Sequence, residues 1–486
     1  MFACGVVSLF LSLAALGAAA PELHVLTSSG PVHGIYNDSA STVRAFLGIP
    51  YAEAPTGDLR FAPPREKSPS HSPIDASKYG PPCPQLYNPS NQSIWDVLPY
   101  GPWNTADMTE DCLSINVWTP SKGRLGDNKA AVLLFVHGGG YTSGAGSNEV
   151  YDGVELVRDN EDAILVTFNY RLNFFGFPNS PGLKLSEQNV GFLDQRLAVE
   201  WVHRNIANFG GDPERILLFG QSAGAGSVDA YAYAYPDEPL VSAFGLESGT
   251  ASRGSDADPT ESDWNALSAA VGCGTGPESL SCMREVPFKI ILDEMDAGNY
   301  NFAPIPDNRT FFSDPAARAR DGGLAKLPTM GGIAEREFSA AIPLNSTSVN
   351  ETEIIEGVYD FSCGLHEALG IRLEQDIPTW RYVYHGNFTN LSPTPWLGAY
   401  HSSDLPMVFG TYNMSDLPPG PTPNEMATSK YIQGAYVAFA KDPVNGLYDY
   451  GWPMYTMDDG KIVNLGVDNE PGAVLSPAAD WDVHCT

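Results

Sequence analysis

Positive charge is scarce in this sequence, and long apolar runs are absent after its first residues. The 486 residues hold 27 Lys and Arg against 58 Asp and Glu, a formal net charge of −31 at pH 7. Nucleic acids and anionic membranes bind basic patches, so neither is predicted as a partner. No later segment is apolar for long enough to cross a bilayer, so no transmembrane helix is predicted.

The sequence also lacks the features that divide a chain into several units. It has no Pro/Gly/Ser-rich or charged linker, no internal repeat and no low-complexity tract, and its 48 Gly and 40 Pro are scattered as turns. Strand-like and helix-like stretches alternate, which is typical of a parallel sheet covered on both faces. We therefore predict one α/β domain over residues 20–486. Its predicted strands are 130–136, 163–169, 216–219, 328–332 and 379–384, and its predicted helices include 192–208 and 425–441.

The first residues resemble a secretory signal, although the usual basic residues before the apolar core are missing. The apolar core is too short to span a membrane and ends in small residues, which predicts cleavage after Ala18 or Ala19. A signal peptide over residues 1–19 predicts a secreted, extracellular protein. Eight Asn-x-Ser/Thr sites are then candidates for glycosylation: Asn37, Asn91, Asn308, Asn345, Asn350, Asn387, Asn390 and Asn413.

Metal-binding spacings are absent, since no C-x-x-C or H-E-x-x-H occurs. We predict neither a metal site nor a cofactor. Cys4 leaves with the signal, and an even number of cysteines remains in an oxidising compartment: Cys83, Cys112, Cys273, Cys282, Cys363 and Cys485. The sequence alone leaves about fifteen pairings of these six open.

A strand followed by G-x-S-x-G and a helix is the most informative pattern that is present. The apolar run 216–219 ends at Gly220-Gln221-Ser222-Ala223-Gly224, and small residues then lead into a helical pattern. This context is typical of a nucleophile elbow, in which the serine occupies a strained turn and the flanking glycines avoid collisions. Ser222 is therefore predicted to be a catalytic nucleophile.

A nucleophilic serine needs donors for the oxyanion and a base. Gly138-Gly139-Gly140 follows a predicted strand directly, so its backbone N–H groups can turn toward the serine. Among the nine histidines, His401 lies in a polar loop after the serine, which suits the order serine, acid, histidine of an α/β-hydrolase. His137 and His203 are interpreted as structural.

Several segments together resemble the type-B carboxylesterase/lipase family, which includes cholinesterases and many secreted fungal esterases. The resemblance runs from about Val25 to the C-terminus. The segments that carry it are Gly48-Ile49-Pro50-Tyr51-Ala52 with Arg60 and Phe61, Glu110-Asp111-Cys112-Leu113, Asn169-Tyr170-Arg171, Leu193-Asp194-Gln195-Arg196, residues 209–224, and Ser248-Gly249. Gln221 stands where cholinesterases commonly have glutamate, and Ser114 stands where a larger residue or Thr is usual.

The resemblance implies an α/β-hydrolase fold and ester hydrolysis through an acyl-enzyme. It assigns Ser222 as nucleophile, His401 as base, and the N–H groups of Gly139, Gly140 and Ala223 as the oxyanion hole. It also implies the disulfides Cys83–Cys112 and Cys273–Cys282, which leaves Cys363 and Cys485 to pair with each other.

The third member of the triad is less well defined by the resemblance. The segment Pro328-Thr-Met-Gly-Gly-Ile-Ala-Glu335-Arg336-Glu337-Phe338 departs from the family pattern around the acid. Counting from Gly332 selects Glu337, and counting from Gly331 leaves Glu335 as the nearest carboxylate. We favour Glu337.

The short loop between Cys83 and Cys112 favours an esterase acting on soluble or short-chain esters. A lipase acting on long-chain acylglycerols is the near alternative, and a non-catalytic esterase-like binding protein is the distant one. Trp103 lies one residue from the position of the choline-binding tryptophan of cholinesterases, but packing within its own loop is the favoured interpretation. The predicted partner is a small-molecule ester, and the oligomeric state is left open.

Overall fold

A computed structural model describes residues 21–37, 40–86, 94–97, 107–126, 128–251, 259–346, 349–414, 419–457 and 460–485. The signal segment, Asn91 and Trp103 therefore lie outside the described residues.

The strands form one large sheet and one small sheet. In chain order the strands are β1 His24–Thr27, β2 Gly30–His33, β3 Ile35–Asn37, β4 Ala40–Pro50, β5 Ile74–Asp75, β6 Ser114–Pro120, β7 Ala130–Val136, β8 Ala163–Phe168, β9 Gly211–Gln221, β10 Ala243–Glu247, β11 Thr329–Ala334, β12 Thr379–Tyr384, β13 Lys461–Leu465 and β14 Ala473–Pro477. The large sheet has the order β14-β13-β12-β11-β10-β9-β7-β8-β6-β4-β3, and β1, β2 and β5 form the small one. The strands from β8 to β13 in this order pair in parallel, and antiparallel strands complete both ends.

Helices cover both faces of the large sheet. The α-helices are α1 Ile94–Val97, α2 Lys122–Leu125, α3 Val154–Asp159, α4 Asn173–Gly176, α5 Val190–Phe209, α6 Ala223–Ala234, α7 Ser262–Ala270, α8 Ser279–Glu285, α9 Phe288–Ala297, α10 Pro315–Arg320, α11 Glu351–Leu373, α12 Leu405–Phe409, α13 Pro423–Lys441, α14 Gly446–Asp449 and α15 Ala479–Asp482. Helices α5, α6 and α11 pack on one face, and α3, α12 and α13 pack on the other.

The continuous apolar runs of the central strands follow from this double cover. Along β7, Val132 and Leu134 join the core under α5 and α6, whereas Leu133 and Phe135 join the core under α12 and α13. Successive side chains of a strand point to opposite faces, so a strand covered on both sides must be apolar throughout. The predicted strands and helices are all present, with bounds that differ by a few residues.

Within the described residues three disulfides are present: Cys83–Cys112, Cys273–Cys282 and Cys363–Cys485. The first two are the pairs that the resemblance implied, and the third joins α11 to the C-terminal segment. None of the helices in the described ranges is long and apolar enough to cross a membrane.

Buried ion pairs account for several buried charged residues, and two of these pairs lie in segments that carry the resemblance. Each places an arginine against a carboxylate at hydrogen-bond distance: Arg171–Asp194 at 2.7 Å, Arg60–Glu110 at 2.6 Å and Arg372–Asp229 at 2.6 Å. The Arg171–Asp194 pair ties the segment after β8 to α5. The Arg60–Glu110 pair joins two loops, and the Arg372–Asp229 pair joins α11 to α6.

The carboxyl ends of the parallel strands meet at one edge of the sheet. The glycine run follows β7, Ser222 follows β9, and Glu337 lies three residues beyond the end of β11. In open α/β sheets this edge is where ligands bind, because the loops that leave neighbouring strands converge there.

Candidate active site

Ser222 occupies a strained turn between β9 and α6. Its φ of 58° and ψ of −126° lie in a region that side chains rarely adopt. A Cβ on Gly224 would lie 2.0 Å from the carbonyl oxygen of Val136, and one on Gly220 would lie 2.5 Å from the carbonyl carbon of Gly224. Only glycines therefore fit two positions before and two positions after the serine, as the sequence predicts.

The N-terminus of α6 points at the same serine. Ala223 is the first residue of this helix, and Ser222 is its N-cap without a side-chain capping bond. The first N–H groups of a helix have no partner within it and carry partial positive charge. The N–H group of Ala223 is therefore placed to interact with negative charge that develops beside Ser222.

The glycine run lies against Ser222 from the neighbouring strand. A Cβ on Gly138 would come within 2.9 Å of the Ser222 Cβ, and Gly139 and Gly140 have φ values of 105° and 61°. The backbone N–H groups of Thr142 and Ser143 donate to the carbonyl oxygen of Gly139, each at 3.0 Å, and close the turn. Glycine is required at Gly138 by the close approach, and it is favoured at the next two positions by the positive φ.

Two amide side chains hold this turn from behind. Asn173 Nδ2 donates to the carbonyl oxygens of Pro84 at 3.0 Å and Thr142 at 3.3 Å. The side chain of Gln85 exchanges hydrogen bonds with Gly144, since its Nε2 donates at 3.0 Å and its Oε1 accepts at 2.8 Å. The glycine turn is thereby fixed in place although its own sequence is flexible.

His137 supports the start of the turn as a neutral side chain. Its ring stacks on Tyr170 with centroids 4.4 Å apart, and the Tyr170 hydroxyl donates to the His137 carbonyl oxygen at 2.9 Å. Burial lowers the pKa of His137 to about 4, so the imidazole is uncharged at neutral pH. This agrees with its interpretation as a structural histidine.

His401 and Glu337 meet at the sheet edge although they are far apart in the chain. His401 Nδ1 lies 2.5 Å from Glu337 Oε2, and Glu337 Oε1 accepts from the N–H group of Ala334 at 2.8 Å. The backbone N–H of Arg336 donates to the carbonyl oxygen of Ala399 at 2.9 Å, which joins the two loops. The carboxylate is fully buried, so its position beside the imidazole is firmly held.

Glu335 lies beside a different histidine. Its Oε2 is 3.2 Å from His385 Nδ1, and its side chain is 45% exposed. The intervening Arg336 turns away, with Nε donating to the carbonyl oxygen of Trp396 at 3.0 Å. Of the two carboxylates considered from the sequence, the geometry thus favours Glu337 as the partner of His401.

The other ring nitrogen of His401 contacts Gln221. The two Nε2 atoms are 3.1 Å apart. Because His401 Nδ1 faces a carboxylate and carries its hydrogen there, Nε2 is left as an acceptor, and the Gln221 amide donates to it. The sequence identified Gln221 as an unusual residue, but not this contact.

A cavity of about 450 Å³ opens over these groups. Two aromatic side chains, Trp95 and Tyr151, line it. The centroid of the His401 ring lies 6.2 Å from that of Trp95 and 5.2 Å from that of Phe361. Within the described ranges its wall is made by Trp95, Asp96, Gly138, Gly139, Gly140, Thr142, Ser143, Tyr151, Gln221, Ser222, His401, Ser402 and Leu405. Tyr151 and Phe361 carried no signal in the sequence, because they come from segments with no recognisable pattern.

The candidate glycosylation sites differ in their surroundings. Five of them are exposed, namely Asn308, Asn345, Asn350, Asn387 and Asn413, and Asn37 is half-buried. Asn390 is buried, and its Nδ2 donates to the Tyr412 carbonyl oxygen at 2.9 Å and to Glu425 Oε1 at 3.0 Å. This geometry disfavours Asn390 as an acceptor, because the folded chain has no room for a sugar on that atom.

Known proteins resemble this chain over most of its length. A model of the carboxylesterase family matches residues 21–356. Chlorogenic acid esterase of Aspergillus niger is 40% identical over 87% of this chain and 83% of its own length. Secreted lipase 5 of Gibberella zeae is 35% identical over 94% and 92% of the two chains, and acetylcholinesterase of Bungarus fasciatus is 29% identical over 97% and 88%.

These similarities agree with the mostly parallel sheet and with the groups gathered at its carboxyl edge, and they confirm the α/β-hydrolase fold that the resemblance implied. The chain belongs to the carboxylesterase family, and it is a carboxylic ester hydrolase.

Proposed function

We propose that the chain is a secreted serine carboxylesterase that works through an acyl-enzyme formed on Ser222. The observation that carries this proposal is the contact of Glu337 with His401, whose ring lines the same cavity as the strained Ser222. A histidine held by a carboxylate beside an exposed serine hydroxyl is the arrangement that activates such a hydroxyl.

In the first half of the reaction Ser222 Oγ attacks the carbonyl carbon of the ester. His401 Nε2 takes the hydroxyl proton, and Glu337 stabilises the imidazolium through Nδ1. The N–H groups of Gly139, Gly140 and Ala223 donate to the oxyanion. His401 then returns the proton to the departing alcohol, which leaves the acyl group on Ser222.

In the second half a water molecule attacks the acyl carbon. His401 accepts a proton from that water, the oxyanion forms again at the same donors, and Ser222 leaves with the proton that His401 returns. In the resting arrangement the Gln221 amide occupies His401 Nε2. The Ser222 hydroxyl, and later the water, must replace that amide for proton transfer to occur.

Secretion forms part of the proposal. We infer that residues 1–19 are removed as a signal and that residues 20–486 fold as one unit. One sheet whose strands run from Ile35–Asn37 to Ala473–Pro477 supports the second inference. Three disulfides and five exposed sequons suit an extracellular protein.

Small esters with an aromatic part are the substrates that the cavity favours. Its volume suits a small ligand, its wall has apolar faces at Trp95 and Tyr151, and hydroxyl groups at Thr142 and Ser143 offer polar contacts. The similarity to a chlorogenic acid esterase points in the same direction. A lipase function is the second candidate, because the relative named secreted lipase 5 matches nearly the whole chain.

The test is labelling and turnover with the secreted protein. A fluorophosphonate probe should label the wild type but not Ser222→Ala, and ester turnover should fall on the order of 10⁶-fold in that variant. Ser143→Ala removes another hydroxyl of the same cavity and should still be labelled. Labelling that survives Ser222→Ala contradicts the assignment.

An ester panel separates the two candidates. We expect higher kcat/KM on chlorogenic acid and p-nitrophenyl butyrate than on emulsified long-chain triacylglycerol. Preference for the emulsion would favour the lipase function, and absence of both turnover and labelling would favour a binding protein.

A further inference from the structure

Two more carboxylic acids are buried directly behind the candidate triad. Glu247 is the last residue of β10 and is 1% exposed, and Asp404 precedes α12 and is 2% exposed. Each is linked to the site by the backbone, because the N–H group of Ser222 donates to the Glu247 carbonyl oxygen at 2.7 Å and Asp404 follows His401 by three residues.

These acids have few partners. Glu247 Oε1 accepts a hydrogen bond from the Tyr436 hydroxyl, which lies 2.9 Å from the Tyr382 hydroxyl. Among the described residues, Glu247 Oε2 has no hydrogen-bond partner, and no side chain donates to either carboxylate oxygen of Asp404. Neither acid forms an ion pair with an arginine or lysine of the described ranges, unlike the buried Asp194 and Asp229.

The groups that face the two acids offer little positive charge. Most of these groups are phenols, and they stay neutral because burial raises their pKa. They are Tyr436 of α13, Tyr382 and Tyr384 of β12, and Tyr151. The charged groups nearby are Glu337 and His401, which already face each other. If Glu247 and Asp404 were both ionised, they would add negative charge to a buried region that already holds the Glu337 carboxylate.

The same surroundings raise the pKa of both acids. Burial, with the Asp404 charge in addition, raises the pKa of Glu247 well above its ordinary value. Burial and Glu337 raise the pKa of Asp404 to about 7, against the opposing effect of the backbone N–H groups of Asp404 and Leu405 and of His401. Interacting acids ionise in sequence and not together.

We propose that Glu247 and Asp404 form a buried acid pair that carries at most one negative charge at neutral pH, with its proton on Glu247. Glu247 is then a positioning residue that limits the negative charge behind Glu337 and His401. A further ionised carboxylate there would stabilise the imidazolium form of His401, and a protonated imidazole cannot act as the base. The part that concerns His401 rests on the proposed function, whereas the protonation of Glu247 does not.

Infrared spectroscopy of the folded protein tests the protonation directly. A protonated carboxylic acid has a carbonyl stretch that a carboxylate lacks. At a pH well above 7, where Asp404 is ionised, the wild type should show such a band, Glu247→Gln should lose it, and Asp404→Asn should keep it. A wild-type band unchanged by Glu247→Gln would overturn the proposal.

A second variant covers the case in which Glu247→Gln does not fold. Tyr436→Phe keeps both acids but removes the donor that stabilises ionised Glu247. The band should therefore persist to higher pH in Tyr436→Phe than in the wild type. A band that disappears at the same or lower pH would contradict the assignment.

The pH profile of kcat/KM tests the effect on His401. The acid limb should stay in place in Glu247→Gln, because an amide replaces a neutral acid. It should move to lower pH in Asp404→Asn, because a charge that forms near pH 7 is removed. Equal shifts in both variants would mean that Glu247 is ionised and would overturn the proposal.

Absence of turnover in the wild type would refute the proposed function. The infrared experiment does not depend on turnover, so it would still test the protonation of Glu247.

Discussion

At the scale of single residues, backbone strain and long-range contacts separate the candidate catalytic groups from their neighbours in the sequence. Ser222 has a positive φ that costs on the order of 1–3 kcal/mol, and the packed strand and helix around it hold that conformation. Glu335 and Glu337 are two residues apart, yet one faces His385 and the other faces His401. A short 3₁₀ helix, Glu337–Ala341, begins at the second of these residues, whose carboxylate is buried.

The two carboxylates give a matched pair of variants. Glu337→Gln should lower kcat by about 10⁴-fold with the fold retained, because the amide no longer holds the correct imidazole tautomer. Glu335→Gln should keep nearly normal turnover, since that side chain contacts His385 and not His401. Steady-state kinetics with circular dichroism on both proteins provide the measurement. An inactive Glu335→Gln beside an active Glu337→Gln would reverse the assignment.

At the scale of elements, α5 packs on the sheet core and also holds a segment at the edge of the sheet where the candidate site lies. Its Asp194 is fully buried and holds Arg171, accepting from both the backbone N–H at 3.0 Å and Nε at 2.8 Å. Arg171 belongs to the segment between β8 and α4, close to Asn173, which fixes the glycine turn. The Arg171–Asp194 ion pair therefore stabilises the segment from which Asn173 holds the glycine turn and its proposed oxyanion donors.

Helix α5 also offers a matched control for this interaction. Asp194→Asn leaves a buried guanidinium without its counter-charge and should lower the free energy of unfolding by about 3–5 kcal/mol. Arg204 on the same helix pairs with Glu66 at 2.9 Å, but both side chains are about half exposed. Glu66→Gln should therefore change stability by less than about 1 kcal/mol. Chemical denaturation of both variants measures the difference, and equal losses would contradict this account.

At the scale of the whole molecule, the net charge of −31 is the dominant property. Self-repulsion among so many carboxylates destabilises the compact state, and dissolved salt screens it. Most of the arginines form ion pairs with nearby carboxylates, and a large excess of acidic residues remains beyond these pairs.

Thermal unfolding at two ionic strengths tests this property. Raising NaCl from about 10 mM to about 150 mM shortens the Debye length from roughly 30 Å to 8 Å, so Tm at pH 7 should rise. Near the sequence pI of 4.4 the net charge vanishes, and the same addition of salt should have little effect. A Tm at pH 7 that falls with salt would show that attractive surface pairs outweigh the repulsion.

The sequence by itself determined the local structure and the chemical class. A buried strand and a serine turn are each specified by a short segment. The strand could therefore be predicted from the apolar run Ala130–Val136, and the turn from Gly220, Ser222 and Gly224. The pairing of six cysteines stayed open on composition alone, because disulfides depend on distance in space.

Only the tertiary structure decided which distant groups meet. Glu337 and His401 are 64 positions apart, and Gln221 and His401 are 180 apart. The burial of Glu247 and Asp404 without a counter-charge could not be predicted from the sequence, since it is a property of the packed molecule and not of a segment. The parallel strands bring these residues to one edge, and there desolvation and neighbouring charges set their chemistry.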